Sequence, residues 1–191
     1  KERELFLVEG YMDVIKLNSY GIKNGVSPLG TTLSEIQLKK MWNYSEIPFV
    51  CFDGDEAGIN ASKKIALKIL QFLKPGKSVK FITIPNDADP DSFLENKTKL
   101  DFLNLRNEAL DLSNLIWQII IDSIQTETPE FLAIIDDKIK NVTDKIEDRK
   151  VSSEYYKFLK GKKDSYVWNI NKIQSSLYKK KKNVSITENI N

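Results

Sequence analysis

The 191-residue sequence contains no histidine and a single cysteine, Cys51. Together these two shortages remove whole classes of chemistry. No zinc site of the Cys/His type can form. No Ser-His-Asp or Cys-His pair is available for nucleophilic catalysis. No disulfide can close within the chain. Long hydrophobic runs are lacking too: Leu115-Ile116-Trp117 and Ile119-Ile120-Ile121 are far too short to cross a bilayer. The opening Lys1-Glu2-Arg3-Glu4 is charged and has no signal-peptide core. A cytoplasmic protein without membrane contact is therefore expected. The start at lysine rather than methionine fits a piece of a longer polypeptide. Any catalysis must rest on carboxylates, Lys, Arg, Tyr or Ser.

What is present suffices for a folded domain: 41% of residues are hydrophobic and 10% aromatic, enough to bury a core. The net charge of +2 hides an asymmetry. Residues 1–84 hold 12 basic and 9 acidic side chains, residues 85–148 hold 6 and 15, and residues 149–191 hold 11 and 3. A basic tail behind an acidic middle permits contact with nucleic acid without demanding it. Lys63, Lys64 and Lys68 read as a solvated helix face. Lys179 to Lys182 read as part of a solubilising linker, because no aromatics interleave for base stacking.

Over the first hundred residues the apolar period alternates between two and 3.6. Leu5–Val8 reads as a buried strand. Tyr11–Tyr20 reads as a helix, with Met12, Ile15 and Leu17 among its apolar positions and Gly21 just past its end. Val26–Leu29 reads as a short strand before a Gly30-Thr31 turn. Thr32-Leu-Ser-Glu35 has the spacing of a capping box opening a helix to about Tyr44. Pro48–Phe52 is a second clear strand. Glu56–Leu73 is a helix with Ile59, Ala66, Ile69, Leu70 and Leu73 on one face. Pro75-Gly76 turns the chain into a strand over Val79–Ile84, and Asp89–Asn96 is a short helix with proline near its start. This order predicts an α/β fold with a mostly parallel sheet flanked by helices over residues 1–100. Residues 101–177 show helical periodicity and no strand signal. They form an all-α subdomain of two to four helices, broken at Thr126–Pro129, with Thr128 as an N-cap. Residues 178–191 read as a basic, polar linker. Trp117, Trp168 and Cys51 are expected in the core.

Acids follow three of the strands: Glu9-Gly10 after the first, Asp53-Gly54-Asp55 after Pro48–Phe52, and Asp87-Ala-Asp89-Pro-Asp91 after Val79–Ile84. In a parallel α/β sheet the carboxyl ends of the strands share one edge, where ligands bind. Five to seven carboxylates from distant parts of the chain therefore converge. Packed closely, they repel one another and raise each other's pKa, which a divalent cation relieves. Oxygen-only ligands favour Mg²⁺ or Mn²⁺ over zinc. Gly54 and Gly58 would let the backbone approach a phosphate. Each acid taken alone has a simpler reading as a turn former or helix N-cap. Three acidic loops on one edge favour the metal site.

The strings Glu9-Gly-Tyr-Met-Asp13-Val, Pro28-Leu-Gly-Thr31, Phe52-Asp-Gly-Asp55-Glu-Ala-Gly58 and Asp89-Pro-Asp91 resemble the Toprim domain of bacterial replicative primases of the DnaG type, over roughly residues 5–97. Residues 101–177 are similar in placement to the helical subdomain of that catalytic core. The resemblance implies an essential Glu9, acting as metal ligand or general acid/base, with Asp53 and Asp55 also catalytic. Asp53, Asp55, Asp89 and Asp91 would be metal-binding carboxylates. Asp13, Gly10, Gly30, Gly54 and Gly58 are supporting positions. The implied reaction joins a nucleotide 3′-hydroxyl to the α-phosphate of an incoming ribonucleoside triphosphate, with two Mg²⁺ or Mn²⁺ ions assisting. Single-stranded DNA is the implied template. A replicative helicase is the implied partner, reached through a C-terminal domain absent from this sequence. The zinc of such enzymes sits in an N-terminal domain also absent here, so the 191 residues alone are expected to bind metal and to make primers poorly. A stand-alone Toprim nuclease and a non-catalytic Toprim interaction module are the alternatives. Tyr11, beside Glu9, reads as structural rather than as a topoisomerase-type nucleophile.

Overall fold

The computed structural model describes residues 4–28, 33–86, 88–124 and 129–188. The expected Gly30-Thr31 turn, the caps at Thr32 and Thr128, and Asp87 lie outside the described residues. The elements run β1 (Phe6–Leu7), α1 (Tyr11–Ser19), β2 (Gly25–Val26), α2 (Glu35–Tyr44), β3 (Phe49–Phe52), α3 (Glu56–Ile69), β4 (Lys80–Thr83), α4 (Pro90–Asn96), α5 (Lys99–Asn104), β5 (Leu110–Asp111), α6 (Leu112–Asp122), α7 (Pro129–Thr143) and α8 (Arg149–Glu188). Short 3₁₀ turns follow α3 and α5. The sheet order is β2-β1-β3-β4-β5, with the first four strands parallel. The α/β reading with a mostly parallel sheet therefore holds.

Alternation along the strands sends neighbouring side chains to opposite faces, and the core divides accordingly. Leu5, Leu7, Val50, Phe52 and Phe81 join the cluster under α2, α3 and α6. Phe6, Val8, Cys51, Ile82 and Ile84 join a second cluster under α1, α4 and α5. Cys51 is fully buried, as expected, and burial pushes its thiol far up, with Asp13 and Asp53 adding to the effect. It is inert in consequence. On the α1 side Phe6 stacks on Phe49 at 5.4 Å and meets Phe102 at 5.6 Å, and Phe102 in turn meets Phe93 at 6.4 Å.

Several expectations change at the local level. The capping box before α2 is built by Ser34 and Gln37 rather than from Thr32: Ser34 Oγ accepts from the Gln37 N–H at 3.3 Å, and the Gln37 side chain accepts from the Ser34 N–H at 2.8 Å. Gly21 takes φ +75°, the left-handed turn that ends α1. Met12, Ile15 and Ile59 are exposed despite their apolar spacing. Residues 101–177 do contain a strand: β5 pairs antiparallel with β4, and the Lys80–Asp111 ion pair at 3.2 Å crosses the ladder. A two-residue strand is too short to give a period, so the sequence shows none.

The helices after residue 111 share the sheet's own core. Leu112, Leu115 and Ile116 of α6 lie in the same buried cluster as Val50 and Phe81, together with Phe131, Ile135 and Ile139 of α7 and Leu159 of α8. Tyr155 of α8 is half-buried with its hydroxyl against Ser78, and the desolvation raises its pKa to about 12. Lys163 donates to the Leu132 carbonyl at 2.9 Å and pairs with Asp136 at 2.7 Å, joining α7 to α8. Residues 178–188, expected as linker, are helical as the continuation of α8. Trp117 is partly buried against the core, whereas Trp168 is 61% exposed, with Lys172 over its ring at 4.9 Å. This overturns the core assignment of Trp168. No helix among the described residues is long and apolar enough to cross a membrane.

These placements separate two aromatic positions of similar size. Phe102→Ala, emptying a fully buried site, is expected to cost about 3–5 kcal/mol. Trp168→Ala is expected to cost less than about 0.5 kcal/mol. Urea unfolding of the two variants checks the ranking, and comparable losses would contradict it.

Candidate metal centre

Because β1, β3 and β4 are adjacent and parallel, their carboxyl ends open onto one edge. Glu9 follows β1 and is exposed. Asp53 follows β3 and is half-buried. Asp89 and Asp91 follow β4 and are half-buried. Asp55 is exposed at the start of α3, and Asp13 is buried in the first turn of α1. The expected acids thus share one edge of the sheet.

Two of them also do ordinary structural work. Asp55 Oδ1 accepts the Gly58 N–H at 2.8 Å as the N-cap of α3. Asp89 Oδ1 accepts the Ser92 N–H at 2.6 Å as the N-cap of α4. The cap role is observed at both positions and leaves the site reading open to them, since a cap uses one carboxylate oxygen and leaves the other. Asp13 reaches back to accept the Gly10 N–H at 2.9 Å, which fixes the turn between Glu9 and α1. Ser27 donates its hydroxyl to the Glu9 carbonyl at 2.8 Å, tying the end of β2 to the same turn.

Gly54 and Gly58 have a structural use beside the phosphate approach expected of them. A Cβ on Gly54 would stand 2.1 Å from the Ile84 carbonyl oxygen, and a Cβ on Gly58 would stand 2.3 Å from the Asp53 carbonyl oxygen. The Gly54 N–H also donates to the Ala88 carbonyl at 2.9 Å. Their missing side chains admit the protein's own backbone, so the loops after β3 and β4 lie against each other beneath the acids. Gly10 lies beside Asp13 in the turn, and Gly30 lies outside the described residues.

Electrostatics follow from this crowding. Burial, then the nearby Glu9, Asp13, Asp89 and Asp55 carboxylates, push the Asp53 carboxyl up to about 6. Burial also raises Asp13, against the lowering effect of the Gly10 N–H, and Asp89 and Asp91 add to the rise. The set fits a hard divalent cation in kind: all donors are carboxylate oxygens, and they destabilise one another until positive charge arrives. The side chains stand open, and no three of the described acids close on a common ion position.

One charged neighbour was not anticipated. Lys16, on α1, pairs with Asp91 at 2.5 Å and lies 3.5 Å from Glu95. Its position three residues after Asp13 places it on the same helix face. That α1 rests on α4 is a tertiary fact with no sequence signal.

Comparison with known proteins places this arrangement. Residues 6–94 match the family model described as Toprim-like. The DNA primase of Rickettsia typhi is 34% identical over 192 residues, covering 100% of this chain and 30% of that protein. A DNA primase domain from Pseudomonas aeruginosa is 31% identical with a TM-score of 0.75, covering 82% of this chain and 49% of that one. A DnaG primase catalytic domain solved bound to single-stranded DNA has the same fold, with a TM-score of 0.76 at 24% identity over 84% of this chain and 52% of that one. The chain belongs to the DnaG-type bacterial primases. It spans less than a third of the length of the curated relatives it matches.

The crowding has a measurable consequence. A carboxyl raised in the folded state contributes stability that is present below its unfolded pKa and lost as pH rises through the folded one. For Asp53 that window runs from about 4 to about 6. In chelator, Asp53→Asn is expected to flatten the stability profile across that window. At pH 7.5 it should stabilise the metal-free protein, on the order of 1 kcal/mol after allowance for solvent screening. Denaturant unfolding at several pH values measures this, and a destabilised variant at pH 7.5 would show that the carboxylate is not strained.

Proposed function

We propose that this chain supplies the metal-binding half of a primer-synthesising centre. In that centre a nucleotide 3′-hydroxyl attacks the α-phosphate of a ribonucleoside triphosphate on a single-stranded DNA template. The observation that carries the reading is the convergence of Glu9, Asp53 and Asp89 from three adjacent strands, with Asp53 raised by its acidic neighbours. Membership of the primase family supports it. Glu9, Asp53, Asp55, Asp89 and Asp91 are the carboxylates proposed to hold Mg²⁺ or Mn²⁺, with two ions as the family's arrangement. Bound ions would lower the pKa of the attacking hydroxyl and neutralise the pyrophosphate leaving group.

What the chain's own residues do is narrower. Asp55 and Asp89 hold their helices in place by one oxygen each and keep the other available. Asp13 fixes the turn that presents Glu9. Gly54 and Gly58 let the loops close under Asp53. The template's phosphates demand cations, and the family resemblance assigns the basic template groove to protein outside these 191 residues, as it does the contact with a replicative helicase. A cytoplasmic setting follows from this role in replication.

The test compares the 191 residues with the longer primase that contains them. The chain alone is expected to bind Mn²⁺ and to make no primer. In the longer protein, Glu9→Gln is expected to lower template-directed ribonucleotide oligomer synthesis by about 10²–10⁴-fold with the fold retained by circular dichroism. Turnover retained in that variant removes Glu9 from the mechanism. Strand cleavage in place of synthesis identifies a Toprim nuclease, and absence of Mn²⁺ binding identifies an interaction module.

A further inference from the structure

Lys16 is the one cation among the described residues that forms an ion pair with any of the five proposed metal carboxylates. Its ammonium sits 2.5 Å from Asp91 Oδ1, 3.5 Å from Glu95 Oε1 and 6.0 Å from the centroid of the Tyr20 ring. The Lys16 side chain is 23% exposed and that of Asp91 42%. Asp91 Oδ1 itself is shut off from solvent and accepts no hydrogen bond from the described residues, so Lys16 faces it as a charge and not as an aligned donor. The geometry is therefore that of a partly desolvated pair held by the packing of α1 on α4, not of two chains meeting in open water.

We propose that Lys16 is a tethered counter-ion of the acidic edge: its ammonium holds Asp91 in place of a divalent ion, and so raises the metal concentration at which Asp91 becomes a ligand. This rests on the metal reading above and adds a chain-specific control to it. The physical reason is competition for one carboxylate. A lysine reaching Asp91 from α1 is always present at high effective concentration, whereas a metal must arrive from solution. The pair also removes one negative charge from the neighbourhood of Asp13, Asp53 and Asp89, weakening the field that attracts a cation. Asp53, Asp55, Asp89 and Glu9 have no such partner among the described residues. The first ion is thus assigned to them, and Asp91 to the later step. Lys16 is a positioning residue, since it acts on Asp91 and not on a reacting atom.

The test is Mn²⁺ binding to the full chain, read by electron paramagnetic resonance of the free ion at low ionic strength. K16M is expected to bind Mn²⁺ about 3- to 10-fold more tightly than the unchanged chain. K16R is expected to bind like the unchanged chain, and 0.5 M salt should shrink the difference. The double variant K16M/D91N is expected to return to within about twofold of the unchanged chain, because the gain runs through Asp91. A lysine that served structure alone would give weaker binding on removal, not tighter. K16Q, which keeps a polar side chain but carries no charge, is likewise expected to bind Mn²⁺ more tightly, and it carries the test should circular dichroism show that K16M loosens the fold. Binding that is unchanged or weaker in K16M and K16Q, while Asp53→Asn still lowers it, overturns the role of Lys16 and leaves the metal reading standing. A gain that persists in K16M/D91N also overturns it, since Lys16 would then act by its field and not by occupying Asp91. No Mn²⁺ binding in any form overturns both readings together.

Discussion

Mutual repulsion among carboxylates at one edge of the sheet is the constraint on which the rest of this structure depends. Three adjacent parallel strands deliver Glu9, Asp53 and Asp89 to that edge, which holds their backbones near one another. Their like charges disfavour the folded state unless something positive stands close. The chain meets part of this need from its own backbone. The N–H groups of Gly58, Ser92 and Gly10 point at Asp55, Asp89 and Asp13, and Lys16 stands at Asp91. Asp53 has no such partner, and the unrelieved charge collects there. A site meant to receive a cation is best left short of positive charge at one point rather than evenly compensated.

Holding repelling groups close requires a stiff support, and the two glycines provide it. Gly54 rests against the Ile84 carbonyl and donates its N–H to the Ala88 carbonyl, so the loops after β3 and β4 meet there backbone to backbone, while Gly58 lets the first turn of α3 rest on the Asp53 carbonyl. Behind the loops, the strands are clamped from both faces by separate buried clusters. The helices after residue 111 enlarge one of those clusters and extend the sheet by β5. Their contribution to the site is rigidity at a distance. None of the five proposed carboxylates comes from them.

Much of this was legible in the sequence because it follows from short-range rules. Short continuous apolar runs ending in Glu9 and Asp53 identify buried strands and the edge they share. The order strand, helix, strand fixes a parallel sheet. What was hidden depends on tertiary neighbours. Gly54 and Gly58 read as phosphate-facing positions because a sequence shows that a side chain is missing but not what lies in the space. Ile59 and Trp168 fit the apolar spacing of their helices yet remain exposed, since spacing defines a face without saying whether anything covers it. β5 is too short for periodicity to register. Residues 178–188 looked like a linker by composition, while the backbone continues the helix begun at Arg149. Lys16 is one of many lysines in the sequence, and only the packing of α1 on α4 sets it apart.

The same pairing of cap and ligand explains why acids at strand ends are hard to interpret from sequence. An aspartate that caps a helix is held in one rotamer by the N–H it accepts, and its second oxygen then points in a fixed direction at no further entropic cost. A residue that must present an oxygen to a metal gains from that preorganisation. At Asp55 and Asp89 the structural role is therefore a precondition for the proposed chemical one and does not compete with it. Asp53 differs because it caps nothing: its position is set by β3 below and by the first turn of α3, which Gly58 lets rest on its carbonyl. Its carboxyl thus answers chiefly to the charges around it, and it is the group through which the arrival of a cation at this edge would first be felt.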